Sequence, residues 1–189
     1  MLETNLKPFF KFSNGYACEA TPLYKGSYDN SVFVMSYKDQ YWFDLEVRGI
    51  KLLEDKSYSP EIISIDPVQR KITFKWYDTN LNHMLHYNKP LPKDWTNQVK
   101  EILEDLEKSN IFKLNIYPHS FYLKNDKVCV MDLYACLLIE DKITSEELEG
   151  VINDKNRFLI NDNLLDIKHA YNYTIKHNIG DWPEDFLND

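Results

Sequence analysis

One carboxylate interrupts an apolar run late in the chain: Asp132, in K-V-C-V-M-D-L-Y-A-C-L-L. A desolvated charge is costly without a partner, so Asp132 is expected at a strand end. There it either bonds local backbone or meets a cation, donor or water. A second acid, Glu46, falls among Phe43, Ile50 and Leu53 at helical spacing and projects toward the apolar side or its edge. It is expected to meet a cation or to stay at the rim of the core. His83 and His86, at i and i+3, have a metal-compatible spacing without an evident third ligand, which favours ordinary surface histidines. His119 follows a proline in a loop, where it either shuttles a proton or is packed or solvated. The cysteines, Cys18, Cys129 and Cys136, form no CxxC and leave one unpaired in any disulfide scheme. That suits a reducing compartment, with Cys129 and Cys136 as buried apolar residues.

These groups need elements to hold them. Asn14-Gly15 between the β-prone runs Pro8–Ser13 and Tyr16–Tyr24 predicts a hairpin. Ser31–Lys38 supplies a third strand rich in β-branched and aromatic residues. Gln40–Glu54 has helical periodicity, and Ser59-Pro60 ends that unit. Glu61–Ile65 and Lys71–Tyr77 flank the Asp66-Pro67 turn as another hairpin, and Leu81–Tyr87 is a short helix or turn. Leu91–Asn97 leads into a helix ending near Ser109, with Val99, Ile102, Leu103 and Leu106 as its apolar stripe. Asn115–Leu138 reads as a Pro118 loop, a strand, an Asn125-Asp126 turn and the strand carrying Asp132. A capping box, T-S-E-E from Thr144, predicts a helix to about Ile152. Asn163–His177 predicts another, with Leu164, Ile167, Tyr171 and Ile175 inward, after which Trp182, Phe186 and Leu187 dock the tail.

At 189 residues and 43% hydrophobic, the chain can bury a core as one domain or two small lobes. A net charge of -8 argues against nucleic acid as a partner, since phosphate-backbone affinity comes from clustered lysine and arginine. No apolar run approaches the roughly 18 to 20 residues that span a bilayer, and the N-terminus lacks a signal-peptide core. The expected setting is soluble and cytoplasmic. Heavy use of Asn, Lys, Ile and Tyr suits an AT-rich genome, a viral one included.

Three strands, a helix, a hairpin, a hinge, a long helix, a Pro-containing loop and a hairpin ending in Asp resemble, over about Pro8–Ala135, the protein-kinase-like fold. The nearest form is that of aminoglycoside phosphotransferases and related small-molecule kinases. The resemblance implies an α+β, two-lobed molecule. Residues 1–78 would form an N-terminal antiparallel sheet with one helix, and 79–189 a truncated, mostly helical second lobe. About 57 residues follow Asp132, and no A-P-E element is present, which argues against a peptide-substrate platform.

In that family a loop between the first two strands covers ATP phosphates, a third-strand lysine pairs with a helix glutamate, and a D-x-x-x-x-N loop precedes a metal-binding Asp. Carried onto this chain, Asn14 and Gly15 lie where the phosphate loop would be, and Glu46 is the helix glutamate. Ser36 holds the lysine position, with Lys38 two residues on along the same face. Alignment through Pro118 puts Asn115 at the catalytic Asp and Ser120 at the metal-binding Asn. Asp132 matches the later metal-binding Asp. Asn115 cannot act as a carboxylate base, and losing general-base help costs roughly 10²- to 10⁴-fold. Ser120 can ligate Mg²⁺ through its hydroxyl, more weakly than an amide or carboxylate oxygen.

The resemblance therefore implies a degenerate kinase-like protein, a pseudokinase or very weak phosphotransferase, with ATP and Mg²⁺ as the implied ligands. Two other readings accompany it. One is an active small-molecule kinase using Lys38 and Asp132 in altered geometry. The other is a non-enzymatic module that binds a protein partner on the same scaffold.

Overall fold

The computed structural model describes residues 7–8, 12–13, 18–25, 27–75, 79–144, 160–161, 164–177, 182–183 and 186. These form an α+β arrangement of small antiparallel sheets and helices. Strands β1 (Lys7–Pro8), β2 (Phe12–Ser13), β3 (Cys18–Lys25) and β4 (Ser27–Tyr37) are followed by helix α1 (Gln40–Leu52) and the hairpin β5 (Ile62–Asp66) and β6 (Lys71–Lys75). Their sheet runs β1-β3-β4-β6-β5, with β2 also paired to β3, so among the described residues β5 is an edge.

Alternation sets the faces of this sheet. Met35 and Tyr37 on β4, with Ile72 and Phe74 on β6, are buried, and β4 aligns Met35 with Ile72. Helix α1 begins where Asp39 accepts the Trp42 N–H at 3.1 Å, a side-chain N-cap. It buries Trp42, Phe43, Glu46, Gly49 and Ile50, one stripe at i, i+3 and i+4 spacing. Phe43 meets Tyr37 edge to face at 5.9 Å, which joins the helix to the sheet.

Strand β7 (Thr79–Asn80) enters helix α2 (Leu81–His86), where Asn80 caps the His83 N–H, and helix α3 (Trp95–Lys108) follows. The stripe expected on α3, Val99, Ile102, Leu103 and Leu106, is buried. Strand β8 (Ile111–Lys113), a short 3₁₀ turn (Pro118–Ser120), β9 (Phe121–Lys124) and β10 (Lys127–Val130) come next. Asn125 and Asp126, between paired Lys124 and Lys127, both have positive φ. That is the two-residue loop whose twist matches an antiparallel hairpin, as the Asn-Asp pair implied.

A second 3₁₀ turn (Leu133–Ala135) leads into β11 (Cys136–Leu138), which pairs back onto β8. Strands β12 (Ile160–Asn161) and β13 (Leu164–Leu165) form a small ladder before helix α4 (Ile167–Lys176). The helix expected from Asn163 starts later than its periodicity suggests. Asp166 accepts the His169 N–H at 2.8 Å and fixes the N-terminus there, leaving Leu164 in a strand. The helix expected from Thr144 to Ile152 lies almost wholly outside the described residues. Trp182 and Phe186 are buried as expected, with Trp182 Nε1 donating to Ile116 O at 2.8 Å and Phe186 stacked on Trp182 and Trp95. Among the described residues, no helix is long and apolar enough to cross a membrane.

Candidate functional site

The chain turns sharply at Asp132, which adopts left-handed φ 57 and ψ 57. Short polar side chains tolerate this region better than others. The turn leaves the N–H groups of Leu133 and Tyr134 at the start of a short helical turn, where no intrahelical acceptor exists. Glu46 supplies one: its two carboxylate oxygens accept from Leu133 N at 3.0 Å and Tyr134 N at 2.9 Å. Gly49, one turn further along α1, makes this reach possible. A Cβ at Gly49 would stand 2.3 Å from Leu133 O and 2.7 Å from Leu133 Cβ, so only glycine lets the helix come this close.

Beside the turn lies Lys113, fully buried at 0% exposure. Its ammonium donates to Asn115 Oδ1 at 2.6 Å, Met131 O at 2.8 Å and Asp132 O at 3.1 Å, using its full donor capacity. Asn115 is also buried, and its Nδ2 donates to Asp132 O at 3.3 Å. Ser120 is fully buried, and its hydroxyl donates to Asp132 Oδ2 at 3.0 Å, while Ser120 O accepts from Met131 N at 2.8 Å. Three elements thus converge on one peptide turn: α1 through Glu46, the end of β8 through Lys113 and Asn115, and the Pro118 turn through Ser120.

Burial pushes the Glu46 carboxyl from 4.5 up to about 7, and the negative charge of Asp132 adds to it. The Leu133 and Tyr134 N–H groups and the Lys113 ammonium pull the other way without cancelling the rise. Burial likewise pushes the Cys136 thiol up to about 11, away from thiolate reactivity.

Of the residues singled out from sequence, the structure brings together Glu46, Asn115, Ser120 and Asp132. Ser36 and Lys38 stay apart. Ser36 alternates with buried Met35 and Tyr37 and so faces the other side of β4, and Lys38 is exposed just past its end. The cation whose field reaches Glu46 is Lys113, and the carboxylate of Glu46 accepts from backbone N–H groups rather than from a β4 side chain. Asn14 and Gly15 lie outside the described residues. Glu46 is not at the rim of the core, since Gly49 brings it in and two N–H groups satisfy it. His83 is partly exposed at the α2 surface with its Nε2 2.8 Å from Lys89 Nζ. His119 is exposed and stacked on Tyr117 at 5.2 Å.

Lys113 and Gly49 are not among the residues expected at the site, yet each carries a signal in the sequence. Lys113 is a lone cation inside I-F-K-L-N-I, the same signal that marked Asp132, and a glycine inside a helix often marks a close approach.

Magnesium favours near-octahedral oxygen ligation and keeps several waters. The oxygens here do not fit that need. Glu46 and Asn115 Oδ1 are engaged by N–H donors, the carbonyls of Met131 and Asp132 face an ammonium, and Asp132 with Ser120 offers one carboxylate and one hydroxyl. Among the described residues no cluster of three His, Cys, Asp or Glu side chains could hold a metal. In this arrangement a buried cation and a buried acid clamp one turn from both sides. A scan against protein-family models finds no match for the chain, and neither does a search of curated proteins.

Proposed function

We propose that this chain is a two-lobed, protein-kinase-like scaffold whose catalytic positions serve structure, so that it works by binding and not by phosphotransfer. The observation that carries this reading is that both oxygens of Glu46 accept backbone N–H groups of Leu133 and Tyr134. In a working kinase that glutamate holds a phosphate-binding lysine; here it is committed elsewhere, and the lysine position is Ser36.

Two further observations support it. Asn115 cannot take a proton from a hydroxyl and is already bonded to Lys113. Lys113 brings a fixed positive charge to the turn where a kinase would carry magnesium. In this reading the β1–β6 sheet with α1 forms the first lobe and the elements from Thr79 onward the second. Any nucleotide held between them is held without Mg²⁺.

Thermal unfolding with millimolar ATP, with and without Mg²⁺, together with a phosphotransfer assay, tests the proposal. A ligand that prefers the folded state raises the apparent Tm. The expected result is no transfer above background and a Tm shift, zero or positive, that does not change when Mg²⁺ is added. Magnesium-dependent ATP turnover that disappears in Asp132→Ala would establish the active-kinase reading instead.

A further inference from the structure

Among the described residues, strand β5 ends the large sheet, and one side of its backbone faces no further strand. Every second N–H and C=O of such a strand points away from the ladder, a template for another chain. Natural edges are blunted by shortness, bulges, lysines, inward charges or prolines within the strand. Ile62-Ile63-Ser64-Ile65 carries no lysine, charge or proline, and Pro60 and Pro67 only bracket it, so its short length and the irregularity between Ile62 and Ser64 are its protections. Ile63 is 55% exposed, Ile65 40% and Val68, at the following turn, 89%. They are three of the six exposed large hydrophobic residues among those described, within six positions of the chain.

We propose that β5 pairs antiparallel with β5 of a second copy, extending the sheet across a two-fold axis near Ser64. Two identical edges satisfy each other's outward N–H and C=O groups, and an isologous contact closes after two subunits. An axis there sets Ile63 beside Ile65 of the other copy, the kind of β-branched cross-strand pair that stabilises sheets. Charge is compatible with this register. At one end of β5, Glu61 is bound by Lys75 and Lys124. Antiparallel pairing brings that cation-rich end toward Asp66 of the partner, while Lys71 lies one strand back from the seam. The uncharged centre places no like charges opposite each other. The strand has five residues, with a register irregularity between Ile62 and Ser64, so the dimer is weak and concentration-dependent. This inference stands on the edge alone and does not depend on the kinase-like reading.

Sedimentation of the full chain from micromolar to several hundred micromolar tests it, beside Ile65→Lys and the more exposed Ile63→Lys. The wild type is expected to move from monomer to dimer across this range. Each lysine is expected to weaken association at least about tenfold, since the two-fold axis sets the new ammonium against an isoleucine of the other copy and so breaks both Ile63–Ile65 pairs of the dimer. Unchanged Tm in dilute samples shows that the variants remain folded. Hydrogen exchange at Ile62–Asp66 is expected to slow with concentration in the wild type alone. A wild type that stays monomeric throughout, or a dimer that both lysine variants leave intact, would overturn the proposal. Pairing of β5 with an unrelated extended peptide in a monomeric wild type would overturn it equally, in favour of a foreign strand.

Discussion

Gly49 of α1 lies so near Leu133 that a Cβ on it would be 2.3 Å from the Leu133 carbonyl oxygen. The contact brings Glu46, one helical turn earlier, to the Leu133 and Tyr134 N–H groups. Helix and turn are therefore locked twice, by shape at Gly49 and by hydrogen bonds at Glu46.

Gly49→Ala tests the shape half. On an open helix the change would stabilise by about 1 kcal/mol through helix propensity. Here the added methyl meets backbone, which cannot rotate aside, and overpacking costs about 1 to 3 kcal/mol or more. Urea unfolding should show a net loss of stability. A gain near the propensity value would show that α1 does not pack on this turn.

The carboxylate half has a pH signature. The folded pKa of Glu46 lies near 7, above its ordinary 4.5, because burial and Asp132 oppose its charge. Between those values the folded state binds more protons than the unfolded state, so stability falls as pH rises. The contribution is fully present below about 4.5 and is lost through about 7, with a size of about 3 kcal/mol. Stability measured against pH for wild type and Glu46→Gln should converge or cross over this interval, the wild type losing ground as pH rises. Parallel curves would remove the titration from Glu46.

Asp132→Asn separates the two acids. Asparagine tolerates left-handed φ and still accepts from Ser120, while the negative charge beside Glu46 disappears. Glu46 should then titrate lower than in the wild type, read from carboxyl-carbon NMR shifts across pH. A Glu46 titration that stays in place would mean that burial alone sets it.

Lys113→Met leaves Asn115 Oδ1 and the carbonyls of Met131 and Asp132 without their ammonium donor. Leaving a buried acceptor unsatisfied costs about 1 to 3 kcal/mol. Denaturant unfolding should show a loss of that order, and Glu46 should titrate still higher, since Lys113 favours its ionised form. A variant of near-wild-type stability would show the lysine to be dispensable.

Local pattern carried much of the fold. The Asn125-Asp126 turn, the α3 stripe and the α1 periodicity follow from 3.6-residue spacing and turn chemistry, which act between near neighbours in sequence. The start of α4 did not follow from its stripe, because a side-chain cap at Asp166 outweighed periodicity at Leu164. Residue type alone marked Asp132 and Glu46 as acids needing partners. It could not name those partners, since 87 positions separate Glu46 from Leu133 and a carboxylate accepts equally from lysine, metal or backbone. Tertiary structure decided that: Gly49 allowed close approach, the left-handed turn at Asp132 aimed two N–H groups at Glu46, and Lys113 filled the space between carbonyls. Sequence therefore established that two acids set among apolar residues needed partners or water, because an unpaired charge cannot stay in an apolar interior. Three-dimensional packing alone determined that two backbone N–H groups meet Glu46 and the Ser120 hydroxyl meets Asp132, because those groups become neighbours only when the chain closes on itself.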